Sequence, residues 1–393
     1  MKILLVHNSY QQPGGEDVVF NQERQLLERT GHEVVTYCRS NTEIDGHSAL
    51  GQLGLVKRSV WATDTRGQVA DLIRREKPEL AHVHNTFLMV SPSVYTACKE
   101  AHIPVVQTLH NYRLLCPAAN LYRDGHACEE CVERNLWHGL YYGCYRGSRA
   151  QSAAVALMLE VHRLLRTWTT MVDGYVTLTE FARRRFMMGG MPPERIITKP
   201  NFVHPDPGGR TDGGDHALYV GRFSPEKGLE TLLAAWGLLN TRFPLMLVGD
   251  GPLRARLAAN AARRSLDSVS FRGRLEGAEK CQAVKGARFL IQPSQCYENF
   301  PMSVVEAFAC GVPVICSRLG AMREIVADGR TGLHFTPGDA EDLAHKAEWA
   351  WTHPEEMADM GREARREYEA KYTAEKNYPL LMDIYQRAIA QRG

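Results

Sequence analysis

The sequence has no apolar run long enough to cross a membrane. No stretch reaches the ~18 consecutive apolar residues that such a helix needs. The opening Met1–Val6 is too short for the core of a secretory signal peptide. A large charge imbalance is absent as well, since 47 basic and 45 acidic residues leave a net charge of +2, which offers no general attraction to nucleic acid. The sequence therefore predicts a cytoplasmic protein that does not bind nucleic acid.

A disulfide framework is not expected from the ten cysteines of this 393-residue chain, because a cytoplasmic protein keeps its thiols reduced. Four of them nevertheless fall within a loop-rich stretch at 112–148, called here the cysteine-rich insertion: Cys116, Cys128, Cys131 and Cys144. Two of the four form a CxxC pair, and four thiolates suit one tetrahedral zinc ion. We predict a structural zinc at these four residues, with an iron–sulfur cluster or four reduced thiols as the alternatives.

The length of the chain predicts two domains, since 393 residues exceed the ~250–300 at which a single core stops growing. Short apolar runs alternate with helical stretches, which is typical of α/β folds. The opening strand, helix and strand form a Rossmann-type pattern without the GxGxxG fingerprint. Turn-forming residues accumulate over 200–214 and mark a boundary. We predict a first domain at 1–205, a second at 206–375 and a last helix at 376–393.

Two glutamates, Glu298 and Glu306, bracket the predicted start of a helix in the second domain. A polar loop with Asn299 and Phe300 leads into that helix through Pro301, whose fixed φ and missing N–H suit a first helical turn. A helix N-terminus offers free N–H groups and the positive end of the helix dipole. We expect a phosphate or sugar hydroxyls there, with the Glu306 carboxylate accepting two hydrogen bonds from a vicinal diol.

Two further turns between a strand and a helix carry candidate ligand-binding residues. Arg222 and Lys227 flank the first turn of the second domain and can converge on one anion. Gly14 and Gly15 precede the first helix of the chain, where glycines let the backbone approach a ligand closely.

Three histidines follow predicted strands of the first domain. His110 stands just past a strand end, where open parallel sheets place their ligands, and we assign it to the site. His82 and His84, at the end of the preceding strand, are interpreted as structural residues.

The residues around the two glutamates resemble the donor-site motif of the retaining GT-B glycosyltransferases of family 4. Seven residues separate Glu298 from Glu306, and the flanking pattern is Asn299-Phe300-Pro301 after the first and Ala307-x-Ala309-x-Gly311-x-Pro313-Val314 after the second. The resemblance covers nearly the whole chain. Its specific motifs lie within 218–333, and it is weakest over the cysteine-rich insertion.

The resemblance implies a GT-B fold, in which two Rossmann-like domains face each other across a cleft and the last helix crosses back to the first domain. The first would be the acceptor domain and the second the nucleotide-sugar donor domain. The implied reaction moves a sugar from a UDP- or GDP-sugar to a hydroxyl acceptor, with retention at the anomeric carbon. The implied setting is cell-envelope or exopolysaccharide synthesis, with a lipid-linked saccharide as one acceptor. Apart from the resemblance, the apolar helical stretch 150–171 and Arg183-Arg184-Arg185 suit peripheral contact with the inner membrane face, with a core helix and solvated arginines as the alternatives.

The resemblance also assigns roles to individual residues. Arg222 and Lys227 would hold the diphosphate, while His110 and Glu298 would orient the sugar, and these four are the implied catalytic residues. Glu306 would bind the ribose. The remaining implied donor-binding residues are Gly14, Gly15, Asn299, Phe300 and Pro301. Arg274 is added because backbone groups usually contact the nucleotide base, and those around Gly273-Arg274 are the candidates. No Asp-x-Asp motif is present, which agrees with catalysis that needs no divalent cation. The alternatives are a GT-B sugar-nucleotide epimerase and a non-catalytic sugar-nucleotide binding protein.

Overall fold

The computed structural model describes residues 1–11, 14–44, 49–133, 135–210, 212–239 and 243–391. They form two compact units, the first made of 1–120, 129–201 and 374–393 and the second of 121–128 and 202–373. The main boundary between the two units therefore lies after residue 201, whereas the sequence predicted it after residue 205. Residues 121–128 of the cysteine-rich insertion belong to the second unit, although the sequence assigned the whole insertion to the first. The two short strands in this segment pair with each other, so they extend neither large sheet.

The strands of the described residues, in chain order, are β1 Lys2–Ser9, β2 Glu33–Ser40, β3 Leu80–Val83, β4 Val105–Thr108, β5 Tyr122–Arg123, β6 His126–Ala127, β7 Gly174–Thr177, β8 Ile196–Thr198, β9 His216–Val220, β10 Leu245–Val248, β11 Val269–Arg272, β12 Ala287–Gln292, β13 Val314–Ser317 and β14 Gly332–Phe335. The helices are α1 Gly15–Arg29, α2 Ala49–Val60, α3 Thr63–Glu76, α4 Ser93–Glu100, α5 Trp137–Tyr141, α6 Arg149–Leu164, α7 Thr167–Thr170, α8 Glu180–Met188, α9 Leu229–Leu238, α10 Arg254–Arg263, α11 Gly277–Lys285, α12 Met302–Ala309, α13 Gly320–Ile325, α14 Ala340–Thr352, α15 Pro354–Lys371 and α16 Ala374–Ala390.

Each unit is built on one six-stranded parallel sheet. The order in the first is β2-β1-β3-β4-β7-β8, and the order in the second is β11-β10-β9-β12-β13-β14. The second follows the Rossmann order, and the first differs from it because β3 pairs with β1 on the side away from β2. The strand order reverses between β9 and β12 in the second unit. Loops that leave two such neighbouring strands diverge, and ligands bind in the crevice between them.

The second sheet is covered on both faces, which explains its nearly continuous apolar strands. In β12, Phe289 and Ile291 belong to a buried cluster with Trp236 of α9. Leu290, which points to the opposite face, belongs to a second cluster with Phe308 of α12. Successive residues of a strand alternate between faces, so a strand buried on both sides needs apolar residues at every position.

The last helix of the chain packs on the first sheet, as the fold prediction required. In α16, Leu381, Ile384 and Tyr385 are buried in one cluster with Val106 of β4 and Val176 of β7. None of the helices in the described part of the chain has the length and apolarity to cross a bilayer.

Candidate active site

A lysine and a glutamate meet at the point where the strand order of the second sheet reverses. Lys227 comes from the turn after β9 and Glu298 from the loop after β12. The Lys227 Nζ donates to Glu298 Oε1 at 2.6 Å. Their side chains remain 22% and 12% exposed, respectively. The sequence predicted both residues as site residues, and the structure shows that they are direct partners.

Two polar residues fix the Glu298 carboxylate in place. Ser294 Oγ donates to Glu298 Oε1 at 2.5 Å, and Gln292 Nε2 donates to the same oxygen at 3.2 Å. Gln292 also donates to Ser294 Oγ at 3.0 Å. Glu298 Oε2 accepts no hydrogen bond from any described residue. One carboxylate oxygen is thus held by the protein and the other is available to a ligand, a division that the sequence analysis missed.

The pair is ionised over a wide pH range. Burial acts to raise the pKa of Glu298, but the Lys227 charge and the hydrogen bonds outweigh burial and hold that pKa below its ordinary value. Burial acts to lower the pKa of Lys227, and the charge of Glu298 outweighs it and raises that pKa. Both groups are therefore charged between the ordinary pKa values of the two side chains, about 4.3 and about 10.4.

The turn that carries Lys227 depends on glycine. Gly228 has φ +69°, and a Cβ there would lie 2.0 Å from the carbonyl oxygen of Pro293. The turn after β9 is thus pressed against the start of the loop after β12, which brings Lys227 within reach of Glu298. Arg222, at the start of the same turn, is exposed, and its guanidinium has no hydrogen bond or ion pair to the described residues. Both cations of the predicted anion site are therefore near the switch point.

Glu306 lies on α12 and already has a cationic partner. Lys280 of α11 approaches its carboxylate at 2.6 Å, and the sequence analysis missed this pair because the two residues belong to different helices. Pro301 is the N-cap of α12, and Met302 is its first helical residue, so the predicted start of the helix is off by one residue.

The other predicted donor-binding residues of the second unit lie on the loops after β11 and β12. Asn299 is buried, and Phe300 packs edge-on against Tyr372 with ring centroids 6.0 Å apart. Arg274 is exposed, two residues after the end of β11. All of these loops leave the carboxyl ends of the strands.

Gly14 and Gly15 stand at the start of α1 in the first unit, as predicted. Gly14 is the N-cap, and its amide donates to Asp17 Oδ2 at 2.7 Å. This amide is therefore engaged by an acidic side chain, and Glu16 adds a second acid to the first turn. Asp17 thus supplies one half of a capping box, and Gly14, which has no side chain, cannot supply the other half.

His110 follows β4 and is paired with another histidine. His110 Nε2 lies 2.9 Å from His84 Nδ1, and the two ring planes differ by 20° with centroids 5.1 Å apart, so the rings meet edge to edge. Burial, followed by the charges of nearby His7, His82 and Lys199, holds the pKa of His110 well below its ordinary value. His84, which the sequence indicated as a structural residue, thus contacts a predicted site residue directly.

All ten cysteines lie within the described residues. Of the four in the cysteine-rich insertion, Cys116, Cys131 and Cys144 belong to the first unit, and Cys128 belongs to the second. Among the residues that the structure describes, a different set of metal-ligating side chains is grouped closely. The ligand atoms of Glu23, His82 and His84, all in the first unit, lie within 4.8 Å of one another. The zinc site stays a prediction, and elemental analysis of protein purified without chelator tests it.

Comparison with known proteins identifies two family models. Residues 13–207 match the model described as Glycosyltransferase Family 4, and residues 204–367 match the model described as Glycosyl transferases group 1. The D-rhamnosyltransferase WbpZ of Pseudomonas aeruginosa is 35% identical over 159 residues, which are 40% of this chain and 41% of WbpZ. A phosphatidyl-myo-inositol mannosyltransferase of Mycobacterium tuberculosis is 32% identical over 204 residues, 49% of this chain and 53% of that protein.

The chain thus spans about half the length of the curated relatives it matches. A match to a solved structure covers a larger share of both chains. The structure of Anabaena HepE in complex with UDP superposes with a TM-score of 0.70 at 18% identity and covers 98% of this chain and 100% of HepE. The two family models follow each other along the chain, and the fold of both parallel-sheet units recurs in solved GT-B structures; the chain belongs to the GT-B glycosyltransferases of family 4 and group 1.

Proposed function

We propose that the protein transfers a sugar from a nucleotide-diphosphate sugar to a hydroxyl acceptor, with retention at the anomeric carbon. The observation that carries this proposal is the Lys227–Glu298 pair at the switch point of the second sheet, with Glu298 Oε2 left to a ligand. The names of the curated relatives, a rhamnosyltransferase and a mannosyltransferase, and the UDP in the HepE structure support it.

Lys227 and Arg222 would bind the diphosphate. An ammonium group has three donors, and Glu298 uses one of those on Lys227, so the others can reach phosphate oxygens. Arg222 adds a planar, permanently charged group that suits phosphate. Negative charge accumulates on the diphosphate as it departs, so cations fixed there stabilise the transition state more than the bound donor.

Glu298 and Glu306 would hold the two sugars of the donor. The open oxygen of Glu298 would accept from a hydroxyl of the transferred sugar. Glu306 would accept from the ribose diol while Lys280 keeps its carboxylate in place. The bond from the anomeric carbon to the phosphate oxygen breaks, a bond from that carbon to the acceptor oxygen forms, and the acceptor proton goes to the departing phosphate. No catalytic metal and no protein base is part of this proposal.

A panel of UDP- and GDP-sugars tests the proposal. Nucleotide release that depends on an added hydroxyl acceptor, together with an α-linked product from an α-linked donor, is the expected result. Interconversion of the donor without nucleotide release would instead indicate an epimerase. Tight donor binding by calorimetry with neither reaction would indicate a binding protein, and either outcome would overturn the proposal.

A lipid-linked acceptor and contact with an anionic membrane surface form a further part of the proposal. The packed helices α5 and α6 of the first unit expose Trp137 (67%), Tyr141 (67%) and Leu164 (82%). Arg149 and Arg163 on α6 are exposed as well. Aromatic and aliphatic side chains beside arginines match a bilayer surface that carries negative charge.

Flotation with vesicles tests this contact. The protein is expected to float with vesicles that contain anionic phosphatidylglycerol and to remain behind with pure phosphatidylcholine. The double variant Trp137→Ser with Leu164→Ser should lose the flotation. Leu238→Ser is the matched control, because Leu238 is 53% exposed on α9 of the second unit. Equal flotation of the double variant and the wild type would contradict the contact.

A further inference from the structure

A buried polar network lies beneath the carboxyl ends of β3 and β4 in the first unit. The two strands are parallel neighbours, so His84, just after β3, reaches His110, just after β4. On its other side, His84 Nε2 faces Glu23 Oε2 of α1 at 3.7 Å. Glu23 in turn lies 3.5 Å from Lys199 Nζ, and Lys199 donates to Asn377 Oδ1 of α16 at 3.0 Å. One line of polar groups thus joins His110 to the packing of the last helix.

This network contains a charge pair that water does not reach. Glu23 is 0% exposed and Lys199 is 1% exposed. A buried charge is tolerated when an opposite charge compensates it. The carboxylate of Glu23 therefore presents fixed negative charge toward His84.

The charge of Glu23 selects the tautomer of His84. A neutral imidazole has one nitrogen that donates and one that accepts. If Nε2 carried the lone pair, that lone pair would face the Glu23 carboxylate, and the two would repel each other strongly in a region of low dielectric. With the proton on Nε2, His84 points a positive N–H dipole at Glu23, and its Nδ1 becomes an acceptor. His110 must then donate its own Nε2–H to His84 Nδ1 across the 2.9 Å contact.

Burial is the main reason that both rings are neutral. Burial lowers the pKa of His84 well below its ordinary value, and the charges of His82, His110, His7 and Lys199 act in the same direction. His7 itself is held by Asp17 on α1, its Nε2 lying 2.9 Å from Asp17 Oδ1. The carboxylate of Glu23 alone would favour a cationic His84, but burial and these other charges together outweigh it.

The same residues could be considered as a metal site, because ligand atoms of Glu23, His82 and His84 all lie within 4.8 Å of one another. The contacts argue against a cation there. Both ring nitrogens of His82 are engaged, Nδ1 with the hydroxyl of Tyr385 at 2.7 Å and Nε2 with Thr108 Oγ1 at 2.8 Å. Lys199 already supplies the positive charge that Glu23 needs.

We propose that His84 is a positioning residue, which fixes His110 as the neutral Nε2–H tautomer and leaves His110 Nδ1 to accept a hydrogen bond from a hydroxyl of the donor sugar. This inference rests on the proposed function only for the sugar contact. The tautomers of the two histidines follow from the geometry of the first unit alone. His110 would therefore select a sugar that presents a hydroxyl donor at this point.

Nitrogen-15 NMR of the imidazole rings tests the tautomers without any substrate. The chain has 15 histidines, and the variants His84→Asn and His110→Asn assign the two signals. Both rings are expected to be neutral and protonated at Nε2 at neutral pH, with a slowly exchanging Nε2–H on His110. In His84→Leu this slow exchange should be lost and the other tautomer of His110 should appear. A proton on Nδ1 of either ring in the wild type, or an unchanged His110 in His84→Leu, would overturn the proposal.

Transfer kinetics test the consequence for the reaction. His84→Leu should lower kcat roughly tenfold, the effect of one lost hydrogen bond, with the acceptor KM unchanged. His84→Asn should recover most of that loss, since its amide oxygen can replace Nδ1 as the acceptor. His82→Gln is the matched control for a general loss of packing, and it should lower Tm without altering the His110 signals. Equal kcat losses in the leucine and asparagine variants would overturn the positioning role. No transfer at all with the expected NMR result would instead count against the proposed function.

Discussion

Each unit holds a lysine–glutamate pair, and the two pairs differ in their surroundings. Lys227 and Glu298 of the second unit are 2.6 Å apart and partly open to solvent. Lys199 and Glu23 of the first unit are 3.5 Å apart and fully buried. The open pair is 22% and 12% exposed and can reach a ligand, whereas the buried pair faces histidines. A lysine–glutamate pair at the switch point of a sheet can bind a ligand. The same kind of pair inside a core instead orients the polar side chains that surround it.

The largest expected effect is on the buried pair. Glu23→Gln keeps the shape of the side chain but leaves the Lys199 ammonium in the core without its counter-charge. Breaking a buried pair in this way costs about 3–5 kcal/mol of unfolding free energy. Denaturant unfolding measures it, and Glu33→Gln serves as the control, because Glu33 pairs with Lys2 on the surface and should cost less than about 1 kcal/mol. Similar losses in both variants would remove the distinction between the pairs.

The open pair should affect activity more than stability. Lys227→Ala removes a charge from the proposed diphosphate site, with an expected loss of about 2–4 kcal/mol of transition-state stabilisation in kcat/KM. Lys371→Ala, which removes a surface ion pair with Glu367, is the control and should retain its activity. A folded Lys227→Ala protein with full activity would exclude Lys227 from the site.

A smaller effect is expected at Glu306. Glu306→Gln replaces a carboxylate by an amide, which accepts more weakly from a diol, so donor binding should weaken by about 1–2 kcal/mol. The acceptor KM should not change. Calorimetry with the donor nucleotide measures the difference, and Glu279→Gln on the exposed surface of α11 provides the control. Unchanged donor affinity would contradict the assigned ribose contact.

The two pairs also show what the sequence could predict. Glu298, Pro301 and Glu306 lie within nine residues of one another, and local turn and helix signals placed them at the start of a helix. Lys227 was predicted because it and Arg222 flank one short turn between a strand and a helix, where both cations can reach one anion. The two-sheet α/β architecture followed from the alternation of apolar runs and helices.

Contacts between distant residues could not be predicted in this way. Lys280 and Glu306 are 26 residues apart in sequence, and Glu23 and Lys199 are brought together from α1 and the end of β8. Periodicity places each residue on an element but does not say which elements become neighbours. For that reason His84 was interpreted as structural, and the separate grouping of residues 121–128 was missed.

A last comparison concerns two carboxyl groups across a pH range. Burial, with an added contribution from Asp17, raises the pKa of Glu16 to about 7, although hydrogen bonds from Tyr10 and Asn111 act against it. Glu298 differs, because its pKa is lowered. The stabilisation from a protonated Glu16 is present below the unfolded carboxyl value of about 4.3 and is lost as the pH rises through about 7. The stabilisation from an ionised Glu298 is present above the carboxyl pKa of the unfolded chain and is lost only in acid.

The free energy of unfolding, measured near pH 5 and near pH 8, should therefore distinguish the contribution of Glu16 from that of Glu298. The wild type should lose stability from Glu16 over this interval, and Glu16→Gln should abolish that part of the pH dependence, because an amide does not titrate. Glu298→Gln should shift the stability by a similar amount at both pH values, since Glu298 stays ionised across the whole interval. Denaturant unfolding at each pH measures the slopes. If Glu16→Gln has the same slope as the wild type, the carboxyl group of Glu16 does not hold its proton toward neutral pH, and the two units do not differ in this respect.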